Sequence, residues 1–314
     1  MSESFGVGGN SLVGTGDVFY DLCAKENQNL PENMENIWTI QFHDPGTIGG
    51  GNNTGGRAWG PAYFRMGNTP DGVPAFRGEL VDGKYTGYSD TLGRGVAWIR
   101  PTFFMSVMVW GNDFNQDIRN APHIVKRDFY FDNPASAYHG RKIDFSLYPE
   151  GSGRDALRDT FQYIYPFFIK YFDPCNVLAN HSLSGQGASY KDIYAMRLAE
   201  TYLFRAEAYI RLGEIDKATD DINIIRRRAN ATPVSSDKVD IDYLLDERAR
   251  ELYQEECRFY ALRRTGKLVE RVRKYNDNPL TPGLNIQEHH ILFPIPQEQI
   301  DLNTGAKFPQ NPGY

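Results

Sequence analysis

Between Ala195 and Ala229 apolar residues recur at three- and four-residue spacing, the period of a helix that turns one face to a core. Met196, Ala199, Leu203, Ala206 and Ile210 form one stripe, and Ala195, Tyr202 and Tyr209 widen it. This predicts a helix that starts at Ser189, with Asp192 three residues on completing a capping-box arrangement, and stops at Gly213 as a left-handed cap. A second stripe of Ile215, Ala218, Ile222, Ile225 and Ala229 predicts the next helix. Its acids (Asp216, Asp220, Asp221) come early and its bases (Arg226, Arg227, Arg228) late, the charge order that complements a helix dipole. A third helix is predicted from about Asp240 to Arg264.

Ala206, Tyr209, Ala218 and Ile222 occupy the small, aromatic, small and bulky positions at which a tetratricopeptide unit interlocks its two helices. One such pair cannot bury its own face, since about three repeats are needed for a stable stack. The rest of the chain, or a segment outside it, must cover the pair. In the third helix Glu247, Glu251 and Glu255 form an i,i+4 row that would repel if merely solvated, and Arg248, Arg250, Arg258, Arg263 and Arg264 are near enough to answer it. Carboxylates so placed could serve acid/base catalysis, but arginines on every side would hold them ionised, which favours a structural lattice.

Residues 1 to about 185 follow another pattern. Glycine and proline punctuate them at Gly46–Gly56, Pro70–Pro74, Asp82–Gly83 and Gly151–Gly153, and short aromatic or β-branched runs such as Trp38–Phe42 and Asp128–Phe131 lie between. This is loop-rich territory with small strands, where a scaffold displays binding residues. The apolar run Phe103–Trp110 is expected to be a buried strand or helix. From Asn276 onward the proline-rich tail is expected to be extended and to pack back over the scaffold.

A hydrophobic fraction of 40% is ample for a core in 314 residues, and no stretch approaches the roughly 18 apolar residues of a membrane span. A net charge of −6 argues against a nucleic-acid partner. Three widely separated cysteines form no disulfide framework. His289-His290 has no zinc-type partner spacing, so no metal or cofactor is expected. Asp113–Asp117 opens like a calcium loop, but Ile118 and Ile124 stand where glycine and glutamate are needed. No G-x-S-x-G occurs, and Gly6-Val-Gly-Gly precedes no strand–helix unit. Glycosidase chemistry needs two carboxylates roughly 5–10 Å apart, and spacing in sequence does not decide that.

Several segments carry a family resemblance. Arg197-Leu-Ala-Glu-Thr-Tyr-Leu-Phe-Arg-Ala-Glu-Ala-Tyr-Ile-Arg-Leu-Gly213 resembles the signature helix of SusD/RagB-type outer-membrane nutrient-binding lipoproteins. Asn223–Ala229 is similar to that family's N-x-I-R-x-R-A ending, and Glu247–Arg264 to its E-R-x-x-E-L-x-x-E-G-x-R-x-x-D-L-x-R block, with Cys257 and Ala261 in place of glycine and aspartate. Leu292-Phe-Pro-Ile-Pro296 and Gln310-Asn-Pro-Gly-Tyr314 resemble its terminal motifs, Asn36–Phe42 its N/E-I-x-x-I-Q-F strand, and Asp117-Ile-Arg119 a D-x-R element of its middle region, expected to be an internal salt bridge.

The resemblance implies a mostly α fold, with a tetratricopeptide-type helical scaffold (186–275), a loop-rich ligand-binding region containing short strands (1–185) and an extended tail packed on the scaffold (276–314). It also implies non-catalytic capture of an oligosaccharide or polysaccharide at the outer-membrane surface and delivery to a TonB-dependent, SusC-like transporter. Family members are longer and begin with a lipoprotein signal and a further helical half. Met1–Gly9 has no basic or apolar leader and Cys23 follows no apolar run, so the lipid anchor is expected to lie outside this chain. A glycan-processing enzyme and a tetratricopeptide interaction module are the alternatives.

All four tryptophans fall in the loop-rich part. The C–H face of a pyranose packs on an aromatic ring while amides, arginine and aspartate take its hydroxyls. Trp38, within an apolar strand, is expected in the core, and Trp110 in the core or at a rim. Trp59, beside Arg57 and close to Tyr63 after two glycines, and Trp98, after Gly93-Arg94-Gly95 with Tyr85 and Tyr88 nearby, are the candidate sugar-stacking residues.

Overall fold

A computed structural model describes residues 17–25, 27–43, 51–89, 92–172, 189–276, 278 and 285–314. The Met1–Gly9 run and the first half of the Gly46–Gly56 run lie outside them. The chain forms two compact units, Met1–Pro101 with Met105–Glu255, and Thr102–Phe104 with Glu256–Tyr314. It is mostly α, with few and short strands.

In the first unit the helix pair is Leu198–Leu212 and Ile215–Arg228. Gly213 caps the first helix at φ +78°, a left-handed conformation that glycine adopts without the Cβ penalty. Ala199, Leu203, Ala206, Ala218, Ile222 and Ile225 are fully buried together, joined by Leu244 and Leu252 of a third helix, Ile241–Leu252. Asp240 caps that helix by accepting the Tyr243 N–H at 2.7 Å.

Two boundaries differ from the sequence pattern. The first helix begins at Leu198, not Ser189, because Ile193–Arg197 form a strand antiparallel to Asn36–Ile40, with Asn36 opposite Arg197 and Ile40 opposite Ile193. Ser189 is held instead by a backbone bridge to Asn53, and Asp192 accepts the Phe42 N–H at 2.8 Å rather than capping a helix. Ala195 and Met196 therefore belong to the strand. The expected long third helix stops at Leu252, where Tyr253 turns extended and Gln254 takes φ +72°. Helical structure resumes at Arg258–Arg264, in the second unit.

The glutamate row is structural. Arg119 donates to Glu247 at 2.8 Å and Glu251 at 3.0 Å, and to Asp117 at 2.9 and 2.6 Å, so the D-x-R element is the internal salt bridge expected. Arg197 reaches Glu251 at 3.0 Å and Glu255 at 2.6 Å, Arg228 pairs with Glu35 and Glu251, Arg226 and Arg250 close on Glu247, and Lys170 on Glu255. Burial opposes ionisation of Glu247 and Glu251, yet the surrounding guanidinium groups outweigh it and hold both carboxyls well below the usual carboxylate range.

The loop-rich region packs its own aromatic core of Tyr63, Phe76, Tyr88, Phe129, Phe131, Tyr165 and Phe167. Besides Asn36–Ile40 it holds two pairs of two-residue strands: Leu80–Val81 with Lys84–Tyr85, turned by Asp82 and Gly83 at positive φ, and Val125–Lys126 with Phe167–Phe168. The Phe103–Trp110 run is a helix, Phe103–Ser106, and the start of a 3-10 helix, Met108–Asp113, and its Phe103, Val107 and Met108 are exposed where burial was expected. Trp110 resolves to the core, 2% exposed, with Nε1 donating to the Met105 carbonyl. Trp38 does not: it is 67% exposed, in a strand whose one partner is Ile193–Arg197.

In the second unit the helices Arg258–Arg264 and Leu268–Tyr275 are followed by the tail. Phe293 of the F-P-I-P segment lies 5.2 Å from Phe259. The terminal residues grip the same segment, with Gln310 bonding both Ile295 N–H and carbonyl and Tyr314 donating to Leu292. The tail is not wholly extended, since Gln297–Leu302 forms a short helix.

Candidate functional site

Helix Gly55–Trp59 and the segment 93–99 form one mount. The Asn53 side chain accepts the Gly55 N–H at 2.8 Å and fixes the helix start. A Cβ on Gly55 would meet the Tyr171 ring at 2.6 Å, so only glycine lets that ring lie against the helix start; one on Gly95 would stand 2.1 Å from the Gly60 carbonyl carbon, so there backbone approaches backbone only because Gly95 carries no side chain. Across that contact Val96 N–H donates to Arg57, Ala97 to Gly60, and Trp98 and Ile99 both to Ala58, at 2.9–3.1 Å. Ala97 sits at φ +60°, a strained conformation for a residue with a Cβ.

The outcome is a tryptophan held by its backbone with its ring left out. Trp98 is 68% exposed, and the Arg57 guanidinium lies 5.6 Å from its ring centroid. Ile99, also exposed, widens the apolar surface. The structure thus brings Arg57 and Trp98 together, 41 positions apart in sequence being spanned by the four backbone bonds just described.

Trp59 turns the other way. Its ring is half-buried and meets Tyr253 edge-on at 5.2 Å, and its carbonyl accepts the Tyr165 hydroxyl. Tyr63 is fully buried: its hydroxyl donates to Gly93 at 2.6 Å and accepts from Ser89 N–H, and burial pushes the phenol pKa far up. Tyr88 is buried against Phe64 and Arg94. Neither tyrosine offers a face to a ligand; both support the mount. Tyr85 is 53% exposed on its hairpin, with the Arg77 guanidinium 4.6 Å above the ring. Sequence reasoning missed Arg77 and Ile99. The pairing of Arg77 with Tyr85 comes from the hairpin's register, and an isoleucine after a tryptophan carries no signal of its own exposure.

A family model described as the SusD family matches residues 101–314, and the chain belongs to that family. Trp98 and its mount lie just before the matched residues. The starch-binding protein SusD of Bacteroides thetaiotaomicron is 38% identical over 124 residues, 39% of this chain and 22% of that protein. Among solved structures, surface glycan-binding protein A from Bacteroides thetaiotaomicron in complex with laminarihexaose superposes at a TM-score of 0.53, with 20% identity over 93% of this chain and 54% of that one. Surface glycan-binding protein A from Bacteroides uniformis superposes at 0.54, with 18% identity, covering 93% and 51%. The chain thus spans about half the length of these structural relatives, and at such identities the likeness shows the fold.

Proposed function

We propose that this chain is the glycan-capturing part of an outer-membrane surface protein that binds oligosaccharide or polysaccharide and passes it to a TonB-dependent, SusC-like transporter. The observation that carries the reading is Trp98, a large exposed ring on a mount built of close backbone contacts, with a guanidinium beside it. An exposed apolar surface of this kind costs solvation unless a ligand or partner covers it. A pyranose face does so, and Arg57 is placed to take a hydroxyl. Support comes also from one relative named for starch binding and from a structural neighbour, a surface glycan-binding protein, in complex with laminarihexaose. Among the described residues no helix is long and apolar enough to cross a membrane.

Within that reading the loops present the ligand face and the helical scaffold docks on the transporter. Binding near the millimolar to micromolar range, about −4 to −8 kcal/mol, suits capture followed by release. A hydrolytic role gains no support from the glutamate row, whose carboxylates are buried and ionised against arginine. The test is affinity electrophoresis of Trp98→Ala and Trp59→Ala against a polysaccharide panel. Trp98→Ala is retarded less than the parent with its melting temperature intact, whereas Trp59→Ala loses stability first. If Trp98→Ala is retarded like the parent by every polysaccharide, the platform lies elsewhere.

A further inference from the structure

A groove of about 820 Å³ runs between the segment Arg141–Leu147 and the helix Ala156–Tyr163, in the loop-rich region, and neither Trp98 nor any other tryptophan lines it. Its size falls in the range of small-ligand sites, roughly 300–1,000 Å³. Ile143, Phe145 and Ile164 give it an apolar floor, and Arg141, Asp144 and Thr160 stand around that floor. The floor is anchored, because Ile143 is buried in the aromatic core with Phe145 and Ile164 packed against it. Backbone bonds from Phe131 to Arg141 and from Ile143 to Phe129 fix the segment's register.

The charges around it select a ligand class. Lys142 is answered by Asp128 at 2.5 Å. That leaves one guanidinium, Arg141, lying 4.9 Å over the Tyr138 ring, and one carboxylate, Asp144, which hydrogen bonds from Ser146 hold below the usual carboxylate range. An anionic ligand would face Asp144, and a cationic one Arg141. A hydroxyl-rich neutral ligand satisfies both, since a hydroxyl donates to the carboxylate and accepts from the guanidinium, while its C–H faces cover Phe145 and the isoleucines. We propose that this groove is a second binding site, for one or two sugar units of a neutral oligosaccharide, and that the chain holds a glycan at two points. The proposal rests on the capture reading above. Two weak contacts on one polymer raise retention without a new strong one, because the second contact forms at the effective concentration set by the first.

The experiment combines affinity electrophoresis in gels containing laminarin or starch with tryptophan fluorescence titrated by laminarihexaose. Four chains are compared: the parent, Trp98→Ala, Ser146→Arg, which fills the exposed groove without adding a fluorophore, and the double variant. The expected result is that Trp98→Ala silences the fluorescence response yet keeps residual retardation, which Ser146→Arg then removes. Ser146→Arg alone weakens retardation by about ten-fold while leaving the fluorescence response. If Trp98→Ala abolishes all retardation and Ser146→Arg changes nothing, the second site is overturned and the capture reading stands. If the parent is neither retarded nor quenched, both fall. Should Ser146→Arg lower the melting temperature, Asp144→Asn replaces it, and unchanged retardation of that variant in the Trp98→Ala background overturns the groove.

Discussion

Replacing Glu251 by alanine tests the scaffold most severely. Glu251 is fully buried and accepts from Arg119 at 3.0 Å, Arg197 at 3.0 Å and Arg228. The connected network pairs Arg119, Arg197, Arg226, Arg228, Arg250 and Lys170 with Glu35, Asp113, Asp117, Glu247, Glu251 and Glu255, and so carries no net charge among its described members. Removing one carboxylate leaves one buried positive charge in excess. Each guanidinium keeps another partner: Arg119 has Asp117 and Glu247, Arg197 has Glu255, Arg228 has Glu35. The loss is therefore one uncompensated charge rather than three orphaned ones, about 3–5 kcal/mol for a dry site. At roughly 2–4 °C per kcal/mol for a domain of this size, the melting temperature should fall by about 6–20 °C. Calorimetry or a dye-based melt reads it. Glu251→Gln, which keeps the shape, should lose less, and Glu255→Ala, at a partly exposed position, should also lose less. A melting temperature within a degree of the parent would refute the network as a stabilising element. Lost glycan binding at an unchanged melting temperature would place Glu251 in a ligand site instead.

The same network sets the acid limit. Because the folded-state pKa values of Glu247 and Glu251 are depressed below their ordinary 4.5, their contribution is present above that value and is lost as pH falls through the folded pKa, so unfolding by urea should need less denaturant below about pH 4.5. On the alkaline side burial raises Tyr165, and Tyr171 is pushed up to about 12, so stability should decline as pH rises above their ordinary 10, which circular dichroism would follow. Gly213→Ala, at φ +78°, should cost about 1 kcal/mol in a denaturant melt without touching glycan binding. Gly95→Ala places a Cβ against the Gly60 backbone, so it should displace Trp98 and lower glycan binding more than Gly213→Ala does in the same affinity gel.

The helix pair was legible because its stripes are local and long: Ala199 to Ala206 and Ala218 to Ile225 repeat at helical spacing and are buried as that spacing demands. The strand at Ile193–Arg197 was not, since Ala195 and Met196 also fit a helical period and the decision rests on pairing with residues some 157 positions away in sequence. The break after Leu252 carried no glycine or proline. It follows from Gln254 adopting positive φ, a choice made by the surrounding fold. At the site, glycine flanking pointed to Trp98 and Arg57, whose exposure and pairing follow from a tight glycine contact. The same flanking pointed to Tyr63 and Tyr88, which fold inward because the loop region needs its own aromatic core. Periodicity places a side chain on a face of an element; in a loop there is no period to say whether a ring faces in or out.

The most direct measurement is a crystal structure of this chain soaked with laminarihexaose or a starch oligosaccharide. A sugar ring should lie stacked on Trp98 with a hydroxyl within hydrogen-bonding reach of Arg57. A bound sugar that leaves the Trp98 ring bare and sits against other residues would contradict it.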